Sequence, residues 1–363
     1  MLFLIIAAAA VFIIYLFFQQ TSFGEVPSGK RLERIKKSPH YKNNSFQNLS
    51  ETKTMQPGVS IARITKEMFF TKHPNRSPHK ALPFIRPSYF LQAEDTPEIT
   101  WFGHSSYLLQ VDGVNVLVDP VFSERVSPVS YAGSKAFEGS NAFSIDDLPG
   151  IDIIVITHDH YDHLDYTVIK KLKNYVPLFI TSLGVGAHLE YWGVPAKKIV
   201  ELDWWESYTT KEGLEFTATP ARHFSGRNFS RNKTLWSSFV LVSKNSKIFI
   251  GGDSGYDTHF ALIGEKYGPF DIAILENGQY NEMWPNIHMF PEETVQAAID
   301  LKASALLPVH WAKFSLSTHT WHDPIDRLMK AAHTAGVNII HPSLGERIPV
   351  NSTTTNQWWS GRW

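Results

Sequence analysis

Four side chains able to bind a first-row metal, His158, His160, Asp162 and His163, fall within six residues directly behind the apolar run Ile-Asp-Ile-Ile-Val-Ile-Thr at 151–157. A run of that length and composition reads as a buried strand. A strand end fixes the backbone, and the loop leaving it can turn alternate side chains toward one point. Two imidazoles one residue apart can share one ion, while Asp162 and His163 face a second. A loop whose histidines only hydrogen-bond is the plain alternative; a lone His would favour it, and this spacing does not. Imidazole and carboxylate ligands without sulfur suit zinc, and also iron or manganese. The chain has no cysteine, which excludes disulfides, thiolate metal sites, a cysteine nucleophile and a lipid-modified cysteine anchor.

Four side chains cannot saturate two ions, so further ligands are expected at later strand ends. His223 follows Phe216-Thr217-Ala218-Thr219-Pro220 and could complete the first ion. Asp253 follows Ile248-Phe249-Ile250-Gly251-Gly252, where glycines allow close backbone approach and a carboxylate could bridge both ions. His310 follows Leu306-Leu307-Pro308-Val309 and could complete the second. Singly, each is an ordinary turn residue at a strand end; their shared position raises them together. A hydroxide held between two such ions is a nucleophile at neutral pH, and the ions neutralise charge on an attacked phosphoryl or acyl oxygen. No serine nucleophile is then needed.

With 363 residues, 43% hydrophobic and 19% charged, the chain can bury a large core as one domain or two fused halves. Short apolar runs from Glu98 to Val118 read as a β-meander. After the His cluster, helical patterns (166–173, 185–192) alternate with strands (178–181, 199–202). A second meander (214–219, 238–242, 247–250) precedes alternating strands (271–275, 305–308) and helices (291–301, 324–335). Two β-then-α halves suggest two packed sheets with helices outside. The expected segments are a membrane anchor at 1–20, a linker and loosely structured extension at 21–95, a catalytic domain at 96–350 and a tail at 351–363. Leu2 to Phe18 carries no charge and is almost long enough to span a bilayer; a cleaved signal peptide is the alternative. Lys30, Arg31, Arg34, Lys36 and Lys37 lie behind it, which would place the body of the protein in the cytoplasm and could touch anionic headgroups. Lys and Arg number 34 against 35 Asp and Glu, so no global charge argues for nucleic acid.

From about Pro97 to Arg347 the chain resembles the metallo-β-lactamase superfamily, and within it the N-acylphosphatidylethanolamine-hydrolysing phospholipase D branch. The resemblance rests on the His-x-His-x-Asp-His run and on blocks in one order: Thr100-Trp101-Phe102-Gly103-His104, Asp119-Pro120-Val121-Phe122-Ser123, Ser127-Pro128, His163-Leu164-Asp165-Tyr166, Glu201-Leu202-Asp203-Trp204-Trp205-Glu206, Gly252-Asp253-Ser254-Gly255-Tyr256, Gly268-Pro269-Phe270-Asp271 and His310-Trp311. It implies an α+β fold, a four-layer αββα sandwich with the ions at one edge, here joined to an N-terminal transmembrane helix. It further implies His158, His160 and His223 on one zinc, Asp162, His163 and His310 on the other, and Asp253 between them. Asp162 and His288 are the implied catalytic residues. His288 lies in Asn286-Ile287-His288-Met289-Phe290-Pro291-Glu292-Glu293, and would orient phosphate or protonate the leaving oxygen; a His that merely flanks a helix is the alternative.

The implied activity is a zinc-dependent phosphodiesterase acting on phospholipid with a metal-bridging hydroxide as nucleophile. A metal-dependent lactonase or other ester hydrolase, and a non-catalytic anchored binding domain, are the alternatives. The expected partners are a phospholipid or other small ester, the membrane through residues 2–18 and a second copy in a homodimer. Where the branch has an apolar-Pro-apolar-Gly-Ala-Tyr run, this chain reads Leu275-Glu276-Asn277-Gly278-Gln279-Tyr280. Glu276 could orient a metal-ligating His or signal a different substrate. Arg222, Glu276 and Tyr280 are candidate substrate contacts. Arg222, Arg227, Arg231 and Lys233 around His223 could attract phosphate or form a solvated basic loop. Trp204 and Trp205 are expected to pack rather than to bind lipid.

Overall fold

The computed structural model describes residues 1–87, 96–227, 230–353 and 356–361. The chain opens with helices α1 (Leu2–Phe18) and α2 (Gly29–Ile35), a hairpin of β1 (Tyr41–Lys42) and β2 (Ser45–Phe46), and α3 (Ile61–Phe69). A meander follows, of β3 (Glu98–Trp101), β4 (Tyr107–Val111) and β5 (Val114–Val118), then a hairpin of β6 (Arg125–Val126) and β7 (Ser134–Lys135). Next come β8 (Ile153–Ile156), α4 (Tyr166–Leu172), β9 (Leu178–Ser182), α5 (Gly186–Tyr191) and β10 (Ile199–Leu202). The second half holds β11 (Ser207–Thr209), β12 (Glu215–Thr219), β13 (Ser238–Val242), β14 (Lys247–Ile250), α6 (His259–Lys266), β15 (Ile272–Glu276), α7 (Pro291–Asp300), β16 (Leu306–Val309), α8 (Asp323–Ala335) and β17 (Arg347–Pro349).

Two mixed sheets share one core. The first runs β10-β9-β8-β5-β4-β3-β17 and the second β11-β12-β13-β14-β15-β16. In each, an antiparallel meander passes into parallel strands at β5–β8 and at β14–β15. Parallel strands are covered on both faces and so read as continuous apolar runs; every residue of β5, β8 and β16 is buried. The carboxyl ends of β5, β8, β14, β15 and β16 carry Asp119, the His158–His163 loop, Asp253, Glu276 and His310.

The edge strand β17, which pairs antiparallel with β3, and helix α6 escape the sequence reading. A glycine inside a helix weakens it and hides its pattern, and Gly264 sits inside α6. The reason is packing: a Cβ at 264 would collide with the carbonyl oxygen of Asp300 at the end of α7. Backbone cannot yield as a flexible side chain can, so Gly264→Val is expected to cost roughly 1–3 kcal/mol by overpacking. Thermal unfolding should show a loss of several degrees; an unchanged melting temperature would mean that α6 can slide on α7.

α1 is 17 residues long, about 26 Å at 1.5 Å per residue, against about 30 Å of bilayer hydrocarbon. Among the described residues no helix is long and apolar enough to cross a membrane, so the span expected over 2–18 is not supported. The segment expected as a loose extension packs against the body. Ile35 and Phe46 are buried with Leu183, Trp204, Ala221, Leu235 and Trp236. Trp204 gives its indole N–H to Trp236 O at 2.8 Å, while Trp205 stacks on Tyr267, so both pack. At the other end, Trp358 and Trp359 lie against Trp311 in the core.

Candidate metal centre

The loop after β8 is pinned from two sides. Asp119, at the end of β5, accepts Thr157 N and Oγ1 at 2.8 and 2.7 Å and holds His163 Nδ1 at 2.7 Å. Asp159 points the other way, where it accepts Gly226 N at 2.7 Å and Thr234 Oγ1 at 2.8 Å and pairs with His188 Nε2 at 3.2 Å. Tyr161 also turns outward, its hydroxyl donating to Arg227 O and its ring 4.1 Å from the Arg227 guanidinium. The intervening residues His158, His160 and Asp162 are thereby left facing inward, and His163 joins them.

Seven sequence-predicted residues meet there in two sets around Asp253. In the first, His158 Nε2 is 2.9 Å from His160 Nδ1, which is 3.2 Å from His223 Nε2. Asp253 Oδ2 lies 3.8 and 3.7 Å from His158 Nε2 and His223 Nε2. In the second, Asp253 Oδ1 is 3.2 Å from both His163 Nε2 and His310 Nδ1, and Asp162 Oδ2 is 3.6 Å from His163 Nε2. His163 Nε2, His310 Nε2 and Asp253 Oδ1 are buried without a hydrogen-bond partner. Ligand atoms about 2.1 Å from a tetrahedral zinc stand roughly 3.4 Å apart, which these spacings bracket. Orphaned buried polar atoms gathered in one place are otherwise costly. The donor set therefore fits a pair of cations.

Burial holds the imidazoles of His158, His223 and His310 well below their ordinary value and His160 at about 4. Neutral imidazole is the ligating form. Burial pushes the Asp253 carboxyl up to about 6, against the opposing pull of His163. For His163 burial is outweighed by Asp253, Asp162 and Asp119, which raise it well above the ordinary value.

Among the remaining candidates, Glu276 and His288 come together. His288 Nδ1 is 3.0 Å from Glu276 Oε2, and Met289 N donates to Oε1 at 2.7 Å. The His288 ring stacks on His310 at 5.3 Å and meets the edge of His223 at 5.1 Å. Arg222 is engaged elsewhere, donating to Thr52 Oγ1, Tyr256 O and Glu51 O at 3.1–3.3 Å. Tyr280 gives its hydroxyl to Asp323 and stacks on His319; it lines a groove of about 670 Å³ with Val59, Met283, Phe290 and Arg327. Arg227 is buried and donates to Asp159 O, Leu164 O and Ser22 O, so it braces the metal loop instead of meeting phosphate. Lys233 Nζ donates to Asn44 O at 2.6 Å.

Two residues with no role in the sequence reading also belong to the site: Asp119, described above, and His104, whose Nε2 lies 2.9 Å from Asp162 Oδ2. Asp119 ends the apolar run Val114–Val118, so the strand-end rule that found Asp253 would have found it. His104 follows β3 at the same three-residue offset as Asp253 follows β14, but it sits in a hairpin turn, where position alone assigns it no role.

Comparison with known proteins agrees with this geometry. The description "Beta-lactamase superfamily domain" matches residues 114–311. The chain is 40% identical over 327 residues to an uncharacterized protein of Mycobacterium tuberculosis, covering 89% of this chain and 87% of that one. It is 33% identical over 277 residues to the N-acyl-phosphatidylethanolamine-hydrolyzing phospholipase D 1 of Caenorhabditis elegans, covering 71% and 78%. In fold it is similar to Igni18, a metallo hydrolase from Ignicoccus hospitalis, with a TM-score of 0.54 at 21% identity over 70% of this chain and 97% of that one. The chain belongs to the metallo-β-lactamase superfamily and is one of its metal-dependent hydrolases.

Proposed function

We propose that the chain is a two-zinc phosphodiesterase acting on phospholipid. The observation that carries the reading is the meeting of His158, His163, His223 and His310 on Asp253, with His160 beside His158 and His223 and Asp162 beside His163 and His310. His158, His160 and His223 would hold one ion and Asp162, His163 and His310 the other, with Asp253 between them. The ions, when bound, supply a nucleophile at neutral pH and neutralise charge on the attacked phosphoryl group.

The protein's own residues do the rest. Asp119 and Arg227 hold the ligand loop rigid. Glu276 pairs with His288 Nδ1 and so leaves Nε2 for a substrate phosphate or a leaving oxygen. Met283, Trp284 and Ile287 form an apolar cluster with Val59, Ile64, Met68 and Phe224. Ile287 is adjacent to His288 and its carbonyl bonds His223 Nδ1, so this cluster gives an acyl chain an apolar surface beside the reacting groups. The likeness to phospholipases supports the same substrate class.

A lactone or simple ester is the second reading, favoured by Glu276, which stands where the phospholipase pattern has a proline. Digesting a lipid extract with the protein and with His160→Ala, read by mass spectrometry, tests both. Release of phosphatidate-type products by the wild type alone, abolished by chelator, is the expected result. If the wild type opens a lactone and leaves every phospholipid intact, the phosphodiesterase reading is wrong.

A further inference from the structure

We infer that His104 is the positioning residue of the second metal position, fixing Asp162 by a hydrogen bond and His310 by ring contact and backbone pairing; this rests on the two-ion reading above. His104 lies in the turn between β3 and β4 with a φ of 51°, a conformation that non-glycine residues adopt uncommonly. Its backbone is locked to the end of β16. His104 N donates to Trp311 O, and His310 N donates to His104 O, each at 2.9 Å. Trp101 Nε1 donates to His104 O as well, at 2.8 Å.

The side chain, fully buried, reaches the same ion position. Its ring centroid is 4.0 Å from that of His310 and 5.8 Å from that of His163, with Phe314 edge-on at 5.4 Å. His104 Nε2 lies 2.9 Å from Asp162 Oδ2, and His104 Nδ1 is buried without a partner. A proton on Nδ1 would leave a buried donor unpaired, at a cost of about 1–3 kcal/mol, so the neutral tautomer with its proton on Nε2 fits. One lone pair of Asp162 Oδ2 takes that proton. The other faces His163 Nε2 and His310 Nε2, at 3.6 and 4.0 Å. His104 thus touches three residues of the second set, and its ring and hydrogen-bond partners do not include His158, His160 or His223.

The test counts and weighs bound zinc in full-length protein stripped by chelator and titrated back, comparing wild type, His104→Phe and His104→Gln. The Phe substitution keeps an aromatic ring and removes the donor; the Gln substitution can present an amide donor to Asp162. The wild type should take up two ions. His104→Phe should keep the first with unchanged affinity and hold the second 10–100-fold more weakly, as partners behind metal ligands do, and His104→Gln should recover most of the loss. Equal weakening of both ions, or none, in a folded His104→Phe protein overturns the assignment. Wild type binding one ion would overturn the two-ion reading itself. Should the Phe variant not fold, imidazole nitrogen NMR of the wild type decides: a proton resident on Nε2 of His104 supports the role, and one on Nδ1 overturns it.

Discussion

Replacing Asp253 by Asn should cost about a thousandfold in kcat while leaving the metal-free protein at least as stable as the wild type. Both halves come from one placement. The carboxylate lies 3.2–3.8 Å from nitrogens of His158, His163, His223 and His310, so among the described residues it is the side chain placed between both candidate ligand sets. Charge stabilisation by metal is worth several kcal/mol, and each ~1.4 kcal/mol is tenfold in rate, which gives the expected loss. Stability runs the other way. Burial pushes the Asp253 carboxyl up to about 6, above its unfolded value, so without metal the ionised form opposes folding at neutral pH and the penalty fades as pH falls through about 6. Asn removes that penalty and fits the same space. Zinc should then raise the melting temperature of the wild type more than that of the variant, because a ligand stabilises only as far as it binds the folded form. Calorimetry with and without zinc, beside a rate assay, checks both; an Asn variant with normal turnover would show that Asp253 does not serve the ions.

Most of the candidate metal centre could be read from the chain because its candidate ligands occupy the ends of apolar strands, where periodicity and position are both visible. His158, His160, Asp162, His163, His223, Asp253 and His310 all belong to that pattern, and the structure draws them together. What escaped was chemistry held by turns and by tertiary contact. His104 adopts a left-handed turn conformation that no local pattern requires. Arg227 looked like one of four basic residues near His223, yet it is buried beneath Tyr161 and Trp192, a distinction set by residues far away in sequence. The same holds for the fold. The parallel strands were legible as apolar runs, whereas β17 is a three-residue edge strand and α6 carries a glycine that only the approach of α7 explains.

The segment behind α1 is unusually well tied to the ligand loop. Ser22 O and Thr21 O accept from Arg227 and Trp192, Glu25 N donates to His188 Nδ1 at 3.0 Å, and His188 Nε2 meets Asp159. Gly24 is required there, since a Cβ would collide with the His188 ring at a φ of 80°. Residues that sequence pattern assigns to a linker therefore form the outer brace of the metal loop.

The His288→Ala variant should lose about 10²–10⁴-fold in kcat, the range for a positioned proton donor, and the dependence on leaving group identifies its role. His288 Nδ1 is committed to the buried Glu276 carboxylate at 3.0 Å, so Nε2 is the nitrogen free to act. Glu276 is pushed well above the usual carboxylate range by burial, against hydrogen bonds from backbone N–H groups that lower it, and burial lowers His288, so the pocket disfavours charge on either member of the pair. If His288 protonates the departing oxygen, the loss should be largest for an alkyl phosphodiester, whose alkoxide leaves poorly, and nearly absent for a nitrophenyl ester, whose leaving group needs no proton. If it orients phosphate instead, both substrates should suffer alike and KM should rise with the loss in kcat. Glu276→Gln keeps a hydrogen-bonding group beside Nδ1 but removes the charge, and should cost about tenfold, in the same leaving-group pattern as His288→Ala, because it acts only through His288. A His288→Ala protein within a few-fold of wild type on both substrates would reduce the residue to a helix flank and leave proton delivery to another group.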